Sequence, residues 1–299
     1  MNSILNVLKE KGCCLLDEPM KNHTTWGVGG PATIFAMPEN LGEFVELIGF
    51  LKENKMRYIV IGNGSNLLFD DGGFVGVVVC TKRMTDELYL RGNTITAGAG
   101  VPLAKVAALA LQNGLSGLEW ACGIPGTVGG AVVQNAGAHG KCMADVLVRA
   151  LVLGDHGLES VTCDECGFGY RKSNFKEKNL LFLDACFALV PANKDVVLER
   201  MKIFAAKRIE TQPSGRSAGS VFKAAGEFPA GLLIDKAGLK GTTVGGAQIS
   251  TKHANFILNV KNATAKDIIS LIGIATEKVY ELFGIFLERE VEIVKKDEK

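Results

Sequence analysis

The segment Gly123–Gly137, GIPGTVGGAVVQNAG, contains five glycines and no charged residue, and it constrains the fold of this chain more than any other segment. Glycine permits backbone conformations with positive φ, so the segment could be a simple connector between two elements. Glycine also lets backbone N–H groups approach and surround an anion, most often a phosphate. The residues of this segment alone leave both interpretations open.

Strand and helix patterns alternate on both sides of this segment and predict an α/β (α+β) fold. The predicted strands cover 32–38, 57–62, 76–79, 94–100, 146–154 and 180–190. The predicted helices cover 41–54, capped by Asn40, 102–114, with Pro102 at its start and Gly114 at its end, and 195–210. The turn-rich loop 211–220 indicates a boundary, so the pattern predicts regions over 1–80, 81–205 and 206–299.

The last region carries one strongly amphipathic helix, predicted over 265–283. Thr264 and Asp267 are expected to cap its start, and Gly284 is expected to end it. The residues expected on its buried face are Ile268, Leu271, Ile272, Ala275, Val279, Leu282 and Phe283.

Composition excludes several classes of partner. The chain has 299 residues, more than one hydrophobic core normally serves, and its 33 Lys and Arg nearly balance its 32 Asp and Glu. There is no basic excess for nucleic acid or an acidic membrane, and no apolar run of membrane-spanning length. The first residues lack the pattern of a signal peptide, so we expect a cytoplasmic protein.

The cysteines predict buried, reduced thiols rather than disulfides or a metal site. Eight cysteines are scattered through a chain that is too large to depend on disulfides. Cys163 and Cys166 have the spacing of half a zinc site, but no second pair follows and the four histidines have no metal-ligand spacing. We therefore predict no metal.

A second glycine-rich loop, Gly62–Asn66 (GNGSN), directly follows a predicted strand, where α/β proteins tend to bind ligands. It is not a dinucleotide fingerprint, because Leu67 stands where the last glycine would fall, and the chain has no Walker sequence. Two glycine loops from different regions could hold a diphosphate between them, which suits a dinucleotide.

The sequence Gly215–Gly219 (GRSAG) matches the GxSxG nucleophile elbow of serine hydrolases. That motif is meaningful only between a buried strand and a helix, and here a charged helix and a turn precede it. We therefore do not predict a serine hydrolase.

Eight motifs, in order, carry a resemblance that covers nearly the whole chain. They are NHTTWGVGGPA, GNGSNLL, GLEWACGIPGTVGGAVVQNAGA, FGYRKSNF, SAGSVFK, LIDKAGLKGTTVGGAQIS, KHANFILN and FGIFLEREV. The set resembles the UDP-N-acetylenolpyruvoylglucosamine reductases, in their shorter variant. The resemblance implies two FAD-binding subdomains (1–80 and 81–205), similar to those of vanillyl-alcohol oxidase, and a smaller substrate domain (206–299) whose last strand is expected to pack on the first subdomain.

The resemblance also implies a cofactor, a co-substrate and a reaction. NADPH would reduce a non-covalently bound FAD, and a hydride would then pass to the distal vinyl carbon of an enolpyruvyl UDP-sugar. Negative charge would develop beside the carboxylate and require stabilisation and a proton. At the matching positions Ser220 would donate the proton, Arg171 would polarise the carboxylate and Glu290 would assist.

The remaining site residues follow from the same motifs. The residues implied in FAD binding are Gly62, Asn63, Gly64, Ser65, Asn66, Gly123, Pro125, Gly126, Thr127, Gly129, Gly130 and Asn135. The residues implied in substrate contact are Tyr170, Lys223 and Gln248. Two departures from the family pattern are Ala224-Ala225, where a proline is frequent, and Glu292, where a basic residue is common.

Without the resemblance, the three catalytic candidates have plainer interpretations. Ser220 lies in a turn-like sequence, Arg171 resembles a surface arginine, and strand alternation puts Glu288, Glu290 and Glu292 on one solvated face. Two other functions stay open at this point: another FAD-dependent oxidoreductase on the same scaffold, or a nucleotide-binding regulator without catalysis. The sequence gives no oligomeric state.

Overall fold

Helices and strands alternate along the chain in a computed structural model that describes residues 4–85 and 87–297. The helices are α1 (Ile4–Glu10), α2 (Leu41–Glu53), α3 (Leu103–Gln112), α4 (Val128–Val133), α5 (Lys194–Thr211), α6 (Ala230–Lys236) and α7 (Ala265–Phe283). The strands are β1 (Cys14–Pro19), β2 (Pro31–Ala36), β3 (Tyr58–Ile61), β4 (Leu67–Phe69), β5 (Phe74–Cys80), β6 (Leu88–Arg91), β7 (Thr94–Gly98), β8 (Leu115–Ser116), β9 (Gly137–Ala138), β10 (Lys141–Cys142), β11 (Leu147–Gly154), β12 (Gly157–Thr162), β13 (Leu181–Ala188), β14 (Val190–Pro191), β15 (Thr243–Val244), β16 (Ala247–Ile249), β17 (Ile257–Asn259) and β18 (Glu292–Val294).

The chain divides into two compact units, each made of several segments. Unit 1 contains the segment ending at Leu15, then Ala36–Asn63 and Val78–Arg208. Unit 2 contains Leu16–Phe35, Gly64–Val77 and the segment that begins at Ile209. The three-region division expected from the sequence stays a prediction.

Unit 1 is built on a five-stranded antiparallel sheet in the order β12-β11-β13-β7-β6. Helices α3 and α4 pack against β7, and α4 also packs against β13. The buried side chains of the sheet and these helices form one hydrophobic core. Pro102 immediately precedes α3, and Gly114 follows it with φ of +65°, as the sequence predicted. This core holds the start of α4, and with it the glycine-rich loop, in a fixed place.

The amphipathic helix α7 of unit 2 has the predicted ends. Thr264 accepts a hydrogen bond from the Asp267 amide while Asp267 accepts one from the Thr264 amide, and Gly284 adopts a left-handed conformation. The helix packs against β15 and β16 of the three-stranded sheet β15-β16-β17. The predicted burial is wrong for two residues of this helix, since Leu282 is 51% exposed and Phe283 is 39% exposed. Val279 is the last buried residue of α7, so the last turn of the helix lies outside the hydrophobic core of the unit.

Candidate active site

The loop that follows β3 begins in unit 1 with Gly62 and Asn63, and the unit boundary falls directly after Asn63. The Thr81 hydroxyl donates to the carbonyl of Ile61 at 3.3 Å and the Cys80 thiol to that of Gly62 at 3.6 Å. A Cβ on Gly62 would lie 2.2 Å from Oγ1 of Thr127. The two glycine-rich loops are therefore in contact here, and only glycine fits at position 62.

The second loop leads into α4, whose first turn is closed by the protein itself. Thr127 caps the helix by accepting a hydrogen bond from the Gly130 amide at 3.4 Å. The amides of Val128 and Gly129 donate to the carbonyls of Val101 and Ala99, at 2.9 and 3.0 Å. These amides are engaged inside the protein, so the segment does not offer the row of free N–H groups that its composition suggested.

A cavity of about 240 Å³ lies in unit 1 between the two loops. It is lined by Asn63, Lys82, Gly100, Pro102, Ala104, Ile124, Pro125, Gly126 and Thr127. Pockets for whole drug-sized ligands are typically about 300–1,000 Å³, so this cavity takes only part of a larger ligand. Lys82 was not among the predicted site residues, although it lies two residues after the end of β5, where α/β proteins often place ligand contacts.

The glutamate that precedes the second loop is buried and ionised. Burial alone would raise the pKa of Glu119, but hydrogen bonds from the Ser116 hydroxyl and the backbone, together with the Arg200 charge, lower it. Ser116 Oγ lies 2.6 Å from Oε1 of Glu119 and the Gly117 amide lies 2.8 Å from Oε2. This carboxylate thus fixes the backbone that leads into GIPGT.

Asn135, predicted to bind FAD, is engaged by the protein. It is buried, its Nδ2 donates to the Gly169 carbonyl at 2.9 Å, and its Oδ1 accepts from the Ala144 amide at 3.1 Å. The Ser173 hydroxyl donates to the Val133 carbonyl at 2.5 Å. These bonds attach the end of α4 to the segment FGYRKS.

Arg171 lies at the third position of a tight turn within that segment. The Gly169 amide donates to the Lys172 carbonyl at 3.0 Å, and the Lys172 amide donates to the Gly169 carbonyl at 3.2 Å. Arg171 has φ of +53°, a left-handed conformation that disfavours any residue with a Cβ. Its guanidinium donates to the Gly137 carbonyl at 3.3 Å and lies 5.2 Å from the ring centre of Tyr170, which is 60% exposed. Arginine in this conformation carries a backbone strain that glycine would not carry.

Ser220 and Glu290 belong to two segments of unit 2 that the fold pairs. Phe222 and Arg289 form an antiparallel bridge, and the Glu290 amide donates to the Val221 carbonyl at 2.8 Å. Both candidates are half-buried. In the described part of the chain, no hydrogen bond engages the Ser220 hydroxyl.

The prediction that Glu288, Glu290 and Glu292 share one solvated face is wrong in part. Glu288 is exposed, but Glu290 and Glu292 are half-buried. The reason is a change of partner: residues 288–290 bond to 221–223, whereas Glu292–Val294 forms β18 and pairs in parallel with β4. Strand alternation does not hold across such a change.

The second half of the GNGSN loop lies beside Glu290. Gly64 has φ of +62°, and a Cβ there would lie 2.2 Å from the carbonyl oxygen of His23. Ser65 is half-buried. Asn66 donates through Nδ2 to the Glu290 carbonyl at 3.1 Å and accepts the Glu292 amide on its backbone carbonyl at 3.0 Å. Asn66 therefore holds the Glu290 backbone in place.

The predicted substrate contacts of unit 2 lie on different segments. Lys223 forms an ion pair with Glu288 at 2.5 Å. Gln248 lies on β16, and its Nε2 donates to the Gly241 carbonyl at 3.3 Å. At the missing proline, Ala225 instead closes a tight turn with Phe228 through two backbone hydrogen bonds of 2.9 and 3.1 Å.

Two motifs fall outside these sites. Gly215–Gly219 lies in a loop between α5 and α6, without the strand that a nucleophile elbow requires. Cys166 is buried, and burial raises the pKa of its thiol to about 11, while Cys163 is half-buried. Within residues 4–85 and 87–297, no group of three or more His, Cys, Asp or Glu side chains is arranged to hold a metal ion. None of the helices described is long and apolar enough to span a bilayer.

Comparison with known proteins first defines the class. Residues 32–160 match the family model of an FAD binding domain. This match defines the class as an FAD-binding protein, and it confirms the α/β FAD-binding fold with a smaller C-terminal domain. Residues 211–294 match the C-terminal domain of UDP-N-acetylenolpyruvoylglucosamine reductase.

Whole-chain relatives identify the particular family. The chain is 46% identical to the UDP-N-acetylenolpyruvoylglucosamine reductase of Carboxydothermus hydrogenoformans, over 94% of this chain and 93% of the relative. It is 40% identical to that of Bacillus subtilis, over 98% and 99%. The crystal structure of the Thermus caldophilus enzyme matches with a TM-score of 0.79 and 37% identity, over 94% of this chain and 97% of that one. The chain belongs to the UDP-N-acetylenolpyruvoylglucosamine reductase family.

The residues of unit 1 fit FAD. The cavity combines glycine backbone at Gly100 and Gly126 with one lysine, a suitable lining for an anionic diphosphate. A Cβ on Gly100 would lie 2.0 Å from the carbonyl oxygen of Thr81, so the wall is already packed as closely as backbone allows. The cavity size suits part of the cofactor rather than all of it.

Proposed function

We propose that Ser220, Arg171 and Glu290 are the catalytic residues of this chain. The reaction is the one its family carries out: NADPH-dependent, FAD-mediated reduction of the enolpyruvyl group of UDP-N-acetylglucosamine enolpyruvate to UDP-N-acetylmuramate, in peptidoglycan synthesis. FAD, when bound, carries a hydride from NADPH to the distal carbon of the double bond. The residues of the chain must then stabilise the negative charge beside the carboxylate and supply one proton.

The pairing of the Ser220 and Glu290 segments is the observation that carries this assignment. A neutral hydroxyl is a weak acid, but a carbanion beside a carboxylate is basic enough to take its proton. The Ser220 backbone lies one residue from the hydrogen bond that joins Val221 to Glu290. This arrangement brings a proton donor and a carboxylate to one junction of unit 2.

Arg171 is assigned to the substrate carboxylate. Its planar guanidinium can form a bidentate contact with a carboxylate. The contacts with the Gly137 carbonyl and the Tyr170 ring orient the group. The left-handed backbone at Arg171 is a cost that such a role explains.

Cofactor binding is assigned to two sets of residues. Asn63, Lys82, Pro125, Gly126 and Thr127 line the cavity and would contact FAD directly. The other predicted residues support them: Gly62, Gly64, Ser65 and Asn66 shape the first loop, and Gly123, Gly129, Gly130 and Asn135 shape the second loop and α4. Tyr170, Lys223 and Gln248 are proposed to contact the UDP-sugar.

We also propose a cytoplasmic location. NADPH and UDP-sugars are small, charged cytoplasmic metabolites, and all eight cysteines are free thiols.

The test is NADPH oxidation by the purified protein, with and without the enolpyruvyl UDP-sugar. We expect rapid oxidation only when the sugar is present, with one NADPH consumed per product, and one FAD per chain released on mild denaturation. Oxidation of NADPH that requires a different acceptor would indicate another oxidoreductase on this scaffold. Binding of nucleotides without oxidation would indicate a regulator, and a protein that binds no FAD would overturn the proposal.

A further inference from the structure

Ser220 lies on a short segment, 219–223, that is not part of a regular sheet. On one side it is paired with 288–291: the Lys223 amide donates to the Glu288 carbonyl at 2.9 Å and the Glu290 amide donates to the Val221 carbonyl at 2.8 Å. In an antiparallel arrangement, the remaining polar groups of Phe222 point away from that partner. They need another partner on the opposite side.

Asn255 supplies that partner. Its Oδ1 accepts the Phe222 amide at 2.9 Å and its Nδ2 donates to the Phe222 carbonyl at 2.8 Å, so one side chain completes both bonds of a missing strand. Its backbone carbonyl also accepts the Val221 amide at 2.9 Å. All three bonds are made to the two residues that directly follow Ser220.

These bonds lie in a dry environment, so they hold the segment firmly. Asn255 is 7% exposed, Val221 is fully buried and Phe222 is 2% exposed. Loss of the amide would leave the Phe222 N–H and C=O buried without partners, which costs more than an ordinary hydrogen bond. The backbone would then shift to find water or new partners.

We propose that Asn255 is a positioning residue for the proton-transfer step. It holds Val221 and Phe222, and so fixes the Ser220 hydroxyl in register with Glu290 across the junction. Consecutive Cα atoms are about 3.8 Å apart, so a shift at Val221 passes almost undiminished to Ser220. This inference rests on the proposed role of Ser220.

The test compares Asn255→Ala with Asn259→Ala in stopped-flow measurements of the two half-reactions. Asn259 is a matched control, because its side chain also makes two backbone hydrogen bonds in unit 2, to Trp26 at 2.9 Å and Ala263 at 2.8 Å, but neither is on the Ser220 segment. Misplacement of a reacting group by about 1 Å can cost about 10²-fold, so we expect Asn255→Ala to slow flavin reoxidation by the enolpyruvyl substrate by about 10–10²-fold. Flavin reduction by NADPH should stay close to the wild-type rate.

A purely structural role would give a different pattern. Asn259→Ala should lower the melting temperature yet leave both half-reactions close to wild type. Equal slowing of both steps in Asn255→Ala, or no slowing of reoxidation, overturns the proposal, as does the same selective slowing in Asn259→Ala.

Asn255→Ser covers the case in which the alanine variant does not fold. The shorter, neutral hydroxyl cannot make both bonds to Phe222, so reoxidation should be slower than in the wild type while flavin reduction is not; unchanged reoxidation contradicts the proposal. Ser220→Ala in the same series separates the two claims. If Ser220→Ala does not slow reoxidation, the proposed function of Ser220 fails; if it does and the Asn255 variants do not, only this inference fails.

Discussion

The Arg171 turn and the Ser220–Glu290 junction achieve fixed positions in opposite ways. Arg171 is held by neighbours in sequence, within a turn closed by Gly169 and Lys172, at the cost of a left-handed backbone. Ser220 and Glu290 have ordinary backbone conformations but depend on pairing between segments about 70 residues apart in the chain. One position is secured by local strain and the other by tertiary register.

The difference predicts how each region responds to mutation. When glycine replaces the residue in a left-handed turn, the functional side chain is lost but the turn becomes more stable, because the strain comes from the Cβ. A junction held by buried hydrogen bonds loses both stability and geometry when one partner is removed. The cofactor loops add a third case, in which glycines such as Gly62 and Gly64 have neighbouring atoms too close for a Cβ.

The largest effect is expected where the two glycine loops touch. Gly62→Ala places a Cβ 2.2 Å from Thr127 Oγ1, and overpacking of this kind costs about 1–3 kcal/mol and displaces backbone. We expect the variant to purify without flavin. Thr127→Ala removes the clashing atom, so the double variant should recover part of the FAD content.

Gly49→Ala is the control for this pair. Gly49 lies in α2, and a Cβ there meets nothing within 4 Å. Alanine in a helix interior is favoured over glycine by about 0.5–1 kcal/mol, so FAD content should be normal and stability slightly raised. Normal FAD content in Gly62→Ala would show that the loops are not packed as described.

Variants of Arg171 test whether the strained backbone at this position accompanies a functional side chain. Arg171→Ala and Arg171→Gly both remove the guanidinium, and loss of a group that stabilises developing charge typically costs about 10²–10³-fold, so both should slow reoxidation by the substrate to that extent. The glycine variant should be more stable than the alanine variant by about 1 kcal/mol, since glycine carries no penalty at φ of +53°. Chemical denaturation of both variants checks the sign; equal stability would mean that the turn is not strained.

A smaller effect is expected at the cavity lysine. Lys82 lines the cavity from an exposed position, so Lys82→Gln should weaken FAD binding only about two- to fivefold. The loss should shrink as salt is added, because exposed charges are screened. FAD titration of apoprotein measures this, with Lys105→Gln, an exposed lysine of α3 outside the cavity lining, as the charge-matched control. A similar loss in the control would assign the effect to overall charge.

The smallest effect on function is expected at Cys163 and Cys166. Both lie outside the described sites, and Cys166 stays a protonated thiol at neutral pH because burial raises its pKa to about 11. The double serine variant should keep its flavin content and turnover, although a hydroxyl in place of the buried thiol lowers stability by about 1–3 kcal/mol. Stoichiometric zinc in the wild type, lost in the variant together with activity, would contradict this.

Local features could be predicted from the sequence, and long-range ones could not. Asn40, Thr264 and Gly284 cap their helices as expected, because a cap depends on residues within one turn. The predicted burial of Leu282 and Phe283 was wrong, because burial depends on which turns of α7 lie against the core of the unit.

The features of the candidate site also divide into local ones, which the sequence predicts, and long-range ones, which it does not. The glycine loops were recognisable, but which of their amides are free depends on the carbonyls of residues 99 and 101. Asn255 gave no local signal, because its partner Phe222 is 33 residues away. The face of Glu290 was mispredicted because its segment changes partner between 290 and 292.

The most direct test of the account is stopped-flow absorbance of both half-reactions in Ser220→Ala. NADPH should bleach the flavin at close to the normal rate, because that step needs no proton from Ser220. Reoxidation by the enolpyruvyl substrate should slow by about 10²–10⁴-fold, the usual contribution of a positioned general acid, and Ser220→Cys should restore part of the rate. Equal damage to both steps, or normal reoxidation, would mean that the junction of Ser220 with Glu290 does not deliver the proton.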